Sequence, residues 1–121
     1  MREQLPEIII FAVPTIGRRM ATREYFKMND IPYMEGGGYF GGENEVIFMV
    51  TGEHKDLALE IAQKNKQNSV LVSDQDRNTR LEHIGWTFSD DLGTLREIPA
   101  KDRGNYFAWS CFDGRYWTTF K

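Results

Sequence analysis

The chain has 121 residues, 40% hydrophobic and 27% charged, and carries a net charge of −3, which suits one domain around a single core. No apolar run approaches the ~18 residues of a membrane span, and no Lys/Arg excess marks a nucleic-acid surface. The start MREQLPEIII has no signal-peptide pattern, and the lone Cys111 forms no internal disulfide, so a single cytoplasmic domain over 1–121 is expected.

In chain order, EIIIFAVPT (7–15) is a short, isoleucine-rich apolar run closed by proline, which predicts a central strand. RRMATREYFKMND (18–30) predicts a helix with Met20, Tyr25, Phe26 and Met28 on its apolar side and a stop at Asn29-Asp30. IPYME (31–35) is a short extended piece, because a residue before proline avoids the helical region. A glycine loop follows: MEGGGYFGGENE (34–45) holds five of the eleven glycines, and so costly a concentration implies either mobility or a close approach to backbone.

EVIFMVT (45–51) is apolar on both faces and belongs inside a sheet. EHKDLALEIAQKNK (53–66) is a helix with Leu57, Ala58, Ile61, Ala62 and Asn65 on one face. SVLVS (69–73) is a third buried strand, and the polar SDQDRNTR reads as a turn. Beyond Leu81, RLEHIGWTF, TLREIP, NYFAWSCF and GRYWTTF suggest short antiparallel strands, with Asp113-Gly114 as a hairpin turn. The order strand, helix, strand, strand, helix, strand predicts an α+β fold: a ferredoxin-like antiparallel sheet with two helices on one face, extended by the C-terminal strands. Apolar residues on both strand faces place the other sheet face against a second subunit.

Chemistry-bearing motifs are sparse. His54 and His83 are the only histidines, and neither sits in a zinc spacing. The glycine segment lacks a Walker lysine and does not lead into a helix; no nucleophile elbow is present. No metal and no organic cofactor are expected. Glu43 and Glu45 stand at the mouth of the second strand, either solvated at a loop end or, for Glu45, held beside a ligand that the glycines admit. Tyr33 and Tyr39 flank the loop and offer faces for a flat ring. Gln67-Asn68 reads as a helix C-cap, with Asn68 in the left-handed region, or as a polar group near a subunit boundary.

The ordered set Glu45 before VIFMV, LALEIA, Gln67 in QNSVLV, REIP (96–99) and SCFDGRYW (110–117) resembles the small S-adenosylmethionine-degrading enzymes of bacteriophages, first described as hydrolases and now regarded as lyases. The resemblance spans roughly residues 7 to 118, and the first helix and the stretch from Ile31 to Asn44 match it least. It implies a homotrimer with active sites between subunits, no metal and no cofactor. It also implies S-adenosylmethionine as substrate in the cytoplasm of an infected host, where removing the methyl donor serves escape from restriction. It makes Glu45 the catalytic carboxylate at the ribose or the cationic part of the substrate, Gln67 an orienting group, and Tyr33 a border for adenine. The reaction it implies is attack of the substrate's own carboxylate on its γ-carbon, giving 5′-methylthioadenosine and homoserine lactone. Alternatives are hydrolysis to homoserine with Glu45 as general base, a non-catalytic nucleotide-binding or anti-defence protein, and a plain interaction module built on the aromatic C-terminus.

Overall fold

A computed structural model describes residues 5–121. Among the described residues there are eight strands: β1 (Ile8–Ala12), β2 (Met34–Phe40), β3 (Glu43–Thr51), β4 (Ser69–Ser73), β5 (Asn78–His83), β6 (Ser89–Ile98), β7 (Ala108–Phe112) and β8 (Arg115–Phe120). Two α-helices, α1 (Ile16–Met28) and α2 (Lys55–Lys64), and two short 3-10 turns complete the elements of the described residues. The strands form a closed antiparallel barrel in the order β1-β3-β2-β7-β8-β6-β5-β4, with β4 returning to β1.

The expected open ferredoxin-like sheet is therefore not what forms. The first four strands do lie as β4-β1-β3-β2, but the C-terminal strands do not extend one edge. β7 pairs with β2 while β5 pairs with β4, so both edges of the N-terminal half are covered. Closure removes the unpaired backbone groups that two free edges would present. It also accounts for the two-faced strands. On β1, Ile9 and Phe11 pack toward the helices, with Val13 just beyond the strand, whereas Ile8, Ile10 and Ala12 face the barrel interior with Ile47, Met49, Leu71 and Phe112. The face assigned to a second subunit is the inside of the same chain's barrel.

Between the helices and the barrel wall, Phe11, Phe26 and Phe48 are fully buried, with ring centroids 5.9–6.5 Å apart. Burying such a side chain contributes roughly 1.5–3 kcal/mol. Of the apolar side predicted for α1, only Phe26 is buried; Met20, Tyr25 and Met28 are exposed, and Thr22 takes the other inward position one turn earlier. Both helices end in the same way. Asp30 (φ 53°) and Lys66 (φ 59°) adopt the left-handed conformation. The next backbone N–H then reaches back to the helix: Ile31 to Phe26 O at 2.9 Å, Gln67 to Ala62 O at 2.9 Å. This double reach-back satisfies carbonyls that the helix end would leave free. The left-handed residue after α2 is thus Lys66, not Asn68.

The glycine segment is a strand, not a loop. Residues 34–40 form β2, paired on one side with β3 and on the other with β7, and the turn is confined to Gly41-Gly42, both at positive φ. A Cβ on Gly36 would lie 2.0 Å from the Cys111 carbonyl oxygen and 2.7 Å from Phe112 Cδ1. Glycine at this position lets β2 lie against the interior Phe112 ring.

Candidate functional site

The barrel has two ends. The glycine end carries the β2–β3 turn, the exit of β1 into α1, the α2–β4 junction, the β5–β6 loop and the start of β7. The hairpin end carries the β7–β8 turn at Asp113-Gly114, the β4–β5 turn and the approach to β2.

Glu45 stands at the glycine end. It is the third residue of β3, paired with Gly38 of β2, and shares the inward side of its strand with Ile47 and Met49. Its carboxylate is half-buried and makes no hydrogen bond or ion pair to any described residue. Burial, followed by the neighbouring Glu43 carboxylate, pushes its carboxyl above the ordinary range. Three other strand carboxylates are paired with cations. Glu35 is held by Arg23, Glu82 by Lys55 at 2.8 Å, and Glu97 by both forks of Arg115.

Gln67 lies at the same end, in the α2–β4 junction. Its backbone is fixed by the bond to Ala62 O, while its side chain makes only a long 3.5 Å contact to Asn65 O. The exit of β1 separates it from Glu45: β1 pairs with β3 on one side and with β4 on the other. Tyr33 is elsewhere. It precedes β2 at the hairpin end, its ring 5.0 Å from Phe26 and 5.9 Å from Phe48. A single chain brings Glu45 and Gln67 to one end and leaves Tyr33 at the other. Tyr39, the other tyrosine flanking the glycines, is at the glycine end but on the outer side, stacked on Trp109 at 5.7 Å.

Sequence reasoning missed the remaining members of this end. Phe40, Phe107, Trp86 and Phe88 are each more than half exposed. Phe40 and Phe107 meet edge to face at 5.1 Å, and Trp86 and Phe88 at 5.7 Å. His83 Nε2 lies 2.7 Å from Asp90 Oδ2, beside Phe88, and strand register puts His83 on the inward side with Leu81 and Leu71. The available signal was aromatic residues next to turn glycines, in YFGG and GWTF. Among the described residues no group of three or more His, Cys, Asp or Glu side chains is arranged to hold a metal ion, and no helix is long and apolar enough to cross a membrane.

The barrel interior holds a cavity of about 450 Å³ that reaches the hairpin end, walled by Ile8, Ile10, Met49, Leu95, Phe112 and Trp117. Of the residues singled out from the sequence, Tyr33 lines it, and Glu45 and Gln67 do not. No family model and no curated protein matches this chain.

Proposed function

We propose that the chain cleaves S-adenosylmethionine to 5′-methylthioadenosine and homoserine lactone at the glycine end of the barrel. The observation that carries this reading is the half-buried Glu45 carboxylate, unpartnered among the described residues, on the residue that opens the ordered set resembling the lyases. An uncompensated carboxylate costs stability and attracts a cation. The sulfonium of S-adenosylmethionine is one. Exposed rings at the same end offer stacking faces for adenine, and Gln67, rigid in backbone but loosely engaged in side chain, is free to orient polar groups.

The chemistry asks little of the protein. The methionyl carboxylate oxygen bonds to the γ-carbon, the C–S bond breaks, and its electron pair neutralises the sulfonium. No proton, water or metal enters the balance. Holding the substrate so folded supplies on the order of 7–11 kcal/mol. Because two opposite charges vanish in the step, a site poor in water favours it. The reading includes the homotrimer with sites between subunits; a neighbouring chain would then supply the aromatic border that Tyr33 does not provide within its own chain. Incubation with S-adenosylmethionine followed by chromatography tests it: methylthioadenosine should appear at turnover above one per chain and survive a strong chelator. A stoichiometric effect without turnover would leave only a binding protein.

Hydrolysis is the second reading, favoured by the His83–Asp90 pair at the same end, which can accept a proton from water. Reaction in heavy-oxygen water separates the two. The lyase gives unlabelled lactone at early times, and the hydrolase gives labelled homoserine.

A further inference from the structure

The interior cavity opens at the hairpin end, and its lining includes Tyr33 but neither Glu45 nor Gln67. Its wall is apolar and built from both halves of the barrel: Ile8, Ile10 and Met49 from one, Leu95, Phe112 and Trp117 from the other. At about 450 Å³ it falls within the ~300–1,000 Å³ of small-molecule sites, which are typically apolar with a few placed polar groups.

Those polar groups are at the hairpin end, and they differ in availability. Arg115 is spent on Glu97, at 2.6 and 3.1 Å. Asp113 is exposed on the turn. Arg77 is half-buried and forms no ion pair with any described carboxylate. Its Nη1 donates to the carbonyls of Pro6 at 2.8 Å and Asp74 at 2.9 Å. Asp74, the carboxylate whose charge acts on Arg77, is engaged with the backbone N–H groups of Asp76 and Asn78. Two carbonyls hold Nη1, no described residue bonds to Nε or Nη2, and Arg77 lines the cavity. A planar donor pair of this kind matches a carboxylate.

We propose that the barrel interior is a second binding site, for a small amphipathic carboxylate whose apolar body fills the cavity and whose head group is held by Arg77. The site is independent of the glycine-end chemistry and stands or falls without it.

Calorimetric titration of the full chain with decanoate, decanol and decylamine tests it. Decanoate should bind at one per chain, decanol about tenfold more weakly, and decylamine more weakly still. Arg77→Gln should bring decanoate down to the affinity of decanol and leave decanol unchanged. If that variant does not fold, Arg77→Lys keeps the charge without the fork and should retain part of the preference. Met49→Trp, which fills the cavity from the wall, should abolish binding of both decanoate and decanol. Equal affinity for decanoate and decanol, preference for decylamine, or undiminished binding to Met49→Trp would each overturn the proposal; the last would move binding to the exposed rings of the glycine end.

Discussion

Glu45 carries opposite consequences for stability and for turnover. Its carboxyl is pushed up by burial and by Glu43. The unfolded chain therefore loses this proton at a lower pH than the folded one, and stability falls as pH rises from the ordinary glutamate range through the folded value. Above that window the folded state holds a poorly solvated charge. Glu45→Gln should accordingly melt above the natural chain at pH 7, with the difference closing once pH drops below the ordinary range; a melting series across pH checks this. The same variant should lose at least tenfold in turnover, about 1.4 kcal/mol in the barrier, whereas Glu43→Gln, on an exposed residue, should lose far less. Full activity in Glu45→Gln would remove the site assignment. Lys66 makes a second test at this scale. Its left-handed φ of 59° carries a cost of about 1–2 kcal/mol that glycine avoids, so Lys66→Gly should raise stability in chemical denaturation while keeping Gln67 in place.

At the scale of the element, β2 shows how position decides what a glycine does. A Cβ on Gly36 would run into the Cys111 carbonyl and the Phe112 ring, while one on Gly37 would meet nothing within 4 Å. Gly36→Ala should therefore cost about 2 kcal/mol or more by forcing β2 from β7, and Gly37→Ala should be near neutral; equal effects would mean that β2 does not pack on β7 in this register. The same strand marks what the sequence made legible. β1, β3, β4 and α2 follow from apolar runs and a 3.6-residue period, and their boundaries agree within two residues apart from the end of β1, which stops three residues before the proline-closed run does. The glycine segment could not be read as a strand because its pairing depends on a ring 76 positions later, Phe112, and glycine carries no alternation of its own. Likewise, Met20 and Met28 have the right spacing for a buried face but lie outside the narrow line on which α1 touches the barrel. Glu45 was singled out as the first residue of a strand and stands third in it; the exposed rings at its end of the barrel were not foreseen, since only the closed topology gathers their loops there.

For the whole molecule, closure changes the meaning of an apolar strand. β1 and β3 can bury both faces within one chain, so their composition alone does not call for a partner. Any association must use surfaces that closure leaves open, and the exposed rings of the glycine end are the principal ones beside the candidate site. If active sites lie between subunits, these rings are where subunits meet. Replacing Phe40 and Phe107 together with serine removes a paired aromatic contact outside the buried core. The double variant should keep the melting temperature of its own isolated chain, dissociate the assembly in light scattering, and lose turnover in step with dissociation. The natural chain should scatter as a trimer at micromolar concentration. A monomer with full turnover would eliminate the shared site, and Glu45 would then act with groups of its own barrel end alone, His83 and Asp90 foremost. A trimer unaffected by the double serine variant would place the interface elsewhere, with the exposed Ile16, Met20 and Met28 of α1 as the next surface to alter.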